Sequence, residues 1–121
     1  FERTALQRRS PILSGALGRA WLAFSTDEER RAILSDLGVR DDAKLAAAFT
    51  RIRQQGHAFS VVTRTDRLQG IAVAIQSNDR VLGCISMRFT RSAMSEVEAG
   101  TRYGAPLGAL ARAIAIDAAS S

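Results

Sequence analysis

Along the first half of the chain apolar residues recur at helical spacing, and along its middle they alternate. In "SGALGRAWLAFSTDEE", Leu17, Trp21 and Phe24 fall on one helical face, which predicts a helix buried through those three and capped by Ser14. "STDEERRAILSDLG" carries a capping box, in which the Thr26 side chain takes the Glu29 amide and the Glu29 carboxylate returns to the Thr26 amide; Gly38 ends that helix. "DDAKLAAAFTRIRQQG" reads as a third helix. Asp41 or Asp42 stands at its start, Leu45, Phe49 and Ile52 form its buried face, and Gly56 is its C-cap. Ahead of these, "FERTALQ" alternates weakly and reads as a strand end, running through "RRSP" into a loop where Pro11 opposes a helix.

The period then changes from helical to alternating. "HAFSVVTR", "GIAVAIQ" and "RVLGCISMRF" read as strands, the last two joined through Ser77, Asn78 and Asp79 as an antiparallel hairpin. In the last strand Leu82, Cys84, Ser86 and Arg88 point one way, while Val81, Gly83, Ile85, Met87 and Phe89 point toward the core. A second capping box, Ser95 with Glu98, opens a long C-terminal helix with Val97, Gly100, Gly104, Leu107, Ala111 and Ile114 along one face. Pro106 removes a donor inside it and is expected to kink or break it. The layout predicts one α+β domain, residues 1–121, with helices packed on a thin antiparallel sheet from which preceding strands are missing.

Composition narrows the function classes. The 121 residues suffice for one ordinary domain, and no apolar run reaches the length of a bilayer-spanning helix, so no membrane partner is expected. One cysteine, Cys84, and one histidine, His57, cannot make a disulfide or a Cys/His zinc site, and a reducing cytoplasm suits the lone thiol. No metal or cofactor is expected. The net charge of +5 is arginine-based, with Lys44 the sole lysine, but acidic residues interleave with the arginines rather than leaving a phosphate-tracking stripe. Catalysis lacks its parts. His57 has no partner in the pattern, mid-strand Cys84 reads as a small core residue, and the acidic clusters sit in first turns of helices, where they offset the dipole.

Two features stand apart. The small residues Ser14, Gly15, Ala16 and Gly18 gather at a helix start, where backbone amides lack intrahelical acceptors. They permit close packing against the sheet, or they cradle an anion. Arg88, on the same strand side as Cys84 and Ser86, is a solvated charge or a bidentate partner for a carboxylate.

Taken together, "SGALGRAWLAFSTDEE", "IRQQGHAFS", "GIAVAIQSNDRVLGCISMRF" and "RSAMS" resemble, in order and spacing, the C-terminal effector-binding domain of the IclR family of bacterial transcription regulators. The resemblance runs from about Arg9 onward. It implies a GAF-like fold, with a winged helix-turn-helix DNA-binding domain and the first strands of the effector domain lying outside this chain. It further implies a pocket for small organic acids between the helix start and the inner sheet face. The amides meeting the acid fall on Ala16 and Leu17. A strand position often acidic in relatives is Ser60, an apolar-to-small pair falls on Leu68 and Gly70, and a pair of serines falls on Ser86 and Arg88. Losing the acid at 60 and gaining a guanidinium at 88 both favour an anion, an aromatic or aryl-alkanoic acid in this reading. Trp21 and Cys84 are expected to supply apolar wall, with Cys84 preferred over Met87 because neighbours on a strand face opposite ways.

The expectation is thus a non-enzymatic, ligand-sensing domain that forms a homodimer or homotetramer, takes a small carboxylate effector and meets DNA only through the N-terminal domain it lacks. The alternatives are a GAF-like sensor of another signalling protein and a purely dimerising module.

Overall fold

A computed structural model describes residues 12–120; the "FERTALQRRSP" readings lie outside the described residues. Three helices come first: α1 (Ala16–Phe24), α2 (Asp27–Asp36) and α3 (Ala43–Gln55). Strands β1 (Ala58–Phe59), β2 (Leu68–Ser77) and β3 (Arg80–Thr90) follow. The short helix α4 (Glu96–Ala99) leads through a π-helical turn (Gly100–Gly104) into α5 (Ala105–Ala119). The strands form an antiparallel sheet in the order β1-β2-β3, and the domain is α+β, with helices on both faces of an open sheet.

Local chemistry explains most of the boundaries. The Glu29 amide donates to Thr26 Oγ1 at 3.1 Å and the Thr26 amide to Glu29 Oε1 at 3.4 Å, and Ser95 with Glu98 repeats the arrangement. Of the two candidate aspartates, Asp42 caps α3, its Oδ1 accepting from the Leu45 amide at 2.9 Å. Gly56 closes α3 with φ of 87°, a conformation that disfavours any side chain. Asn78 and Asp79, with φ of 50° and 68°, make the two-residue loop between Ser77 and Arg80, the turn whose twist matches a hairpin. A register shift follows at Ile75/Gln76.

Residues 70–75 of β2 alternate between the two helical layers. Ala72 joins Ala16, Ala20, Leu22, Ala23, Leu34, Phe49, Ile52 and Ala58 in a core under α1–α3. Ile71, Val73 and Ile75 pack with Phe89, Ala99 and Ala111 under α4 and α5. Full burial of a side chain such as Phe49 contributes about 1.5–3 kcal/mol.

Five expectations are corrected. Ser14 does not cap α1; the N-cap is Gly15, which offers no side chain, and Ser14 lies in a preceding helical turn whose carbonyl accepts the Val61 amide at 2.7 Å. The buried stripe of α1 is not Leu17, Trp21 and Phe24 but Ala16, Ala20 and Ala23 with Leu22. Leu17 and Trp21 remain 48% and 38% exposed, because small residues let the helix approach the sheet closely. "HAFSVVTR" yields only two strand residues: the ladder extends to Ser60, whose amide reaches the Gly70 carbonyl at 3.0 Å, and then Val61 turns its amide to Ser14. The C-terminal helix does not break at Pro106. The backbone stays helical through Pro106, which stands in the first turn of α5, and the irregularity is the π-helical turn just before that helix. That turn also rotates the buried face, which runs Ala99, Tyr103, Leu107, Ala111, Ala115, leaving Val97 79% and Ile114 39% exposed.

Candidate functional site

The start of α1 is set over the inner face of the β2–β3 hairpin. Its first intrahelical bond runs from the Arg19 amide to the Gly15 carbonyl at 3.0 Å, so the Ala16, Leu17 and Gly18 amides precede the helical ladder, and no side chain caps them. Gly18 is needed for a close approach, though not to the sheet: a Cβ there would overlap the backbone of Ile12. It is Ala16 that touches the sheet, its Cβ standing 3.2 Å from where a Gly70 Cβ would be.

Beneath these amides, Ser60 and Gly70 close the end of β1. Ser60 Oγ accepts from the Gly70 amide at 2.8 Å. The Ser60 carbonyl accepts from Gln69 Nε2 at 2.8 Å, and the same amide group reaches Glu96 Oε2 at 2.6 Å. Gln69 is only 4% exposed, so this buried polar group is fully used in fixing Ser60 and α4. Gly70 pairs with Arg88 across the ladder, and Ala72 with Ser86, which brings both β3 residues to the same face as Ala16.

The result is an open cavity of about 510 Å³, lined by Gly15, Ala16, Leu17, Gly18, Ser60, Asp66, Leu68, Gln69, Gly70, Ser86, Met87 and Arg88. Seven of the nine residues expected at the site therefore meet here: Ala16, Leu17, Ser60, Leu68, Gly70, Ser86 and Arg88. Among the described residues the Arg88 guanidinium has no hydrogen bond or ion pair. The start of α1, Arg88 and Asp66 thus border one hollow of a size suited to a small organic molecule, and the uncapped amides with the Arg88 guanidinium give part of its lining a positive character.

Trp21 and Cys84 lie elsewhere. They line a second, apolar hollow of about 440 Å³ with Ile12, Leu17, Gly18 and Ile33, of which Leu17 and Gly18 also border the main cavity. Cys84 does face the α1 layer, as strand parity requires, but it sits four residues along β3 from Arg88. Burial pushes its thiol up to about 11, so it is protonated and poorly nucleophilic at neutral pH. Met87 borders the main cavity, while its side chain packs with Ile71 and Phe89 in the opposite layer.

Sequence reasoning missed Asp66 and Gln69. Asp66 borders the cavity from the turn before β2, where its Oδ2 accepts from the Thr63 amide at 2.7 Å; its only sequence signal is a turn-forming aspartate, and its position depends on tertiary contacts. His57 is placed away from the cavity. Its ring lies against Gly100 and Gly104 of the π-helical turn and meets Phe59 edge-on at 5.2 Å, and burial pulls its pKa below the ordinary value. Among the described residues no cluster of three metal-ligating side chains occurs, and no helix is long and apolar enough to cross a membrane.

The cavity lies between a helix start and the antiparallel sheet of an α+β domain, and comparison with known proteins identifies the family of that domain. The sequence pattern described as "Bacterial transcriptional regulator IclR C-terminal" matches residues 2–116, so the chain belongs to that family of regulators. Among solved structures it is similar to the C-terminal domain of the E. coli transcriptional regulator KdgR, at 23% identity and TM-score 0.72, covering 88% of this chain and 70% of that one. It is also similar to the inducer-binding domain of a double mutant of PobR from Acinetobacter, solved with 3-hydroxybenzoic acid: 12% identity, TM-score 0.70, 87% and 65% coverage. The repressor BlcR from Agrobacterium tumefaciens gives 19%, 0.70, 87% and 46%. At these identities the likeness is one of fold. The chain spans 63% of a matching C-terminal domain from Vibrio cholerae and less than half of BlcR.

Proposed function

We propose that this domain is the effector-sensing and oligomerising part of an IclR-type transcription regulator, and that its effector is a small organic acid, an aromatic carboxylate in the sharpest form of the reading. The single observation carrying it is that Arg88, whose guanidinium has no partner among the described residues, and the uncapped helix start at Ala16 and Leu17 line one cavity. A carboxylate placed there takes two parallel hydrogen bonds from the guanidinium, others from the helix amides and one from the Ser86 hydroxyl. Leu68 supplies apolar wall, and Gly70 keeps the floor clear. The PobR domain's aromatic acid is an analogy of fold that agrees with this assignment.

Regulation follows from differential binding. The effector changes the spacing of DNA-binding domains on other parts of the protein only if it binds one arrangement of the subunits, a homodimer or homotetramer, better than another. The test is thermal unfolding of the chain against a panel of aliphatic and aromatic acids. Stabilisation by a subset of acids, reduced in Arg88→Ala, supports the proposal; no shift with any acid counts against it.

A further inference from the structure

We infer that Gln69 is the coupling residue of the domain: it ties the floor of the cavity to α4, so that a change at the cavity is passed to the C-terminal helices. This rests on the cavity being the binding site of the domain, and adds the element that responds to it.

Four contacts meet where β1 leaves the ladder. The Ser60 amide donates to the Gly70 carbonyl at 3.0 Å and Ser60 Oγ accepts from the Gly70 amide at 2.8 Å, which fixes Ser60 to the cavity floor. The next amide, that of Val61, donates at 2.7 Å to the carbonyl of Ser14, one residue ahead of the Gly15 N-cap of α1. The Ser60 carbonyl is taken by Gln69, whose Nε2 donates to it at 2.8 Å and to Glu96 Oε2 at 2.6 Å. Gln69 is buried and also borders the cavity, so one side-chain amide joins the end of β1, β2 and the first residue of α4. The half-buried Arg19 guanidinium, one turn along α1 from Ala16, lies within electrostatic reach of the same carboxylate: burial lowers its pKa, and the Glu96 charge acts in the opposite direction.

The short helix α4 is sensitive to that contact. Four residues do not hold a helix on their own, because nucleation fixes several dihedrals for each early hydrogen bond. Beyond its capping box, Glu96–Ala99 has one buried side chain, Ala99, which packs with Ile71 and Phe89. The Gln69–Glu96 bond, charge-assisted and made by a buried donor, therefore matters to how α4 docks. Moving one partner away leaves the buried donor unsatisfied, which costs more than the net worth of the bond, so floor and helix shift together. The backbone stays helical from α4 through Gly100–Gly104 into α5, and a displaced α4 carries the start of the longer helix with it.

The test is hydrogen exchange of the full chain, read at residues 96–104 relative to the amides of α3, a helix outside these contacts. Gly70→Ala is the perturbation on the cavity side, since its Cβ would stand 3.2 Å from the Ala16 Cβ and 3.7 Å from Ser60 Oγ. It is expected to speed exchange at 96–104 about tenfold relative to α3, within the range for members of one hydrogen-bond network. In Gln69→Leu or Glu96→Ala, where the connection is already cut, adding Gly70→Ala changes those amides by less than about twofold. Glu96→Ala alters an exposed side chain, so this pair remains measurable if Gln69→Leu does not fold. Exchange at 96–104 that ignores Gly70→Ala, or a response that persists in both backgrounds, overturns the coupling. No ligand enters these measurements, so they stand apart from the carboxylate reading. An acid that binds the unaltered chain and leaves exchange at 96–104 unchanged relative to α3 sinks the coupling and spares the site. If every acid fails to bind, the carboxylate reading falls, while the exchange response alone upholds or refutes the coupling.

Discussion

The Ser60 hydroxyl accepts a hydrogen bond from the Gly70 amide at 2.8 Å, and this contact holds the floor of the cavity to the end of β1. Ser60→Ala leaves that half-buried amide without its partner and is expected to lower stability by about 1 kcal/mol, measured by urea denaturation. Gly70→Ala acts differently. Its φ is not in the left-handed region, so the backbone tolerates alanine, but the new Cβ stands 3.2 Å from the Ala16 Cβ. We expect a small change in stability and a loss of acid binding of about fivefold or more as the helix start is pushed off the sheet, the scale of a minor steric misfit in a pocket.

The two glycines of the π-helical turn accommodate one ring. A Cβ at Gly104 would lie 2.9 Å from His57 Nδ1, and one at Gly100 3.0 Å from Nε2. Alanine at 104 gains up to about 1 kcal/mol of helix propensity, but the overpacking against the ring costs about 1–3 kcal/mol, so the net effect is destabilising. In a His57→Ala background the clash is gone and the same substitution stabilises. Denaturant titration of the four proteins of this cycle gives the coupling, and a Gly104→Ala effect unchanged by removing His57 would contradict the contact.

His57 also sets a pH dependence. Burial disfavours the imidazolium, so the folded-state pKa lies below the unfolded value of 6.5. The unfolded chain then binds more protons as the pH drops. The stability contributed by the neutral ring is complete above pH 6.5 and is lost as the pH falls from there through the lowered folded-state value. His57→Gln is expected to flatten that part of the stability curve; identical acid slopes in the two proteins would refute it.

Cys84 is expected to resist modification. With its thiol pushed up from 9.0 to about 11, the thiolate fraction at neutral pH is about a hundredfold below that of an unburied cysteine. Alkylation by iodoacetamide should be slow in the folded chain and accelerate sharply in denaturant.

What sequence alone conveys here is mostly short-range. Both capping boxes, the Asp42 cap, the Gly56 C-cap and the Asn78–Asp79 turn rest on contacts within a few residues, and each is present. Periodicity located the hairpin and the face carrying Ser86 and Arg88. It failed where a distant partner decides. β1 stops because Val61 bonds Ser14, 47 positions earlier, and α1 buries alanines because the sheet demands close approach. Trp21, read as wall of the main cavity, faces another hollow for the same reason. Asp66 and Gln69 carried no visible signal, since a turn aspartate and a strand glutamine acquire their roles only once Arg91 and Glu96 are brought beside them.

The central claim is that Arg88 and the start of α1 bind a carboxylate. Its most direct measurement is calorimetric titration with an acid that stabilises the chain and with the corresponding primary amide, in the unaltered protein and in Arg88→Ala. We expect the acid to bind, the amide to bind at least about tenfold more weakly, and Arg88→Ala to bring the two close together, as loss of a charge-assisted pair requires. Equal binding of acid and amide, or an acid affinity untouched by Arg88→Ala, would contradict it.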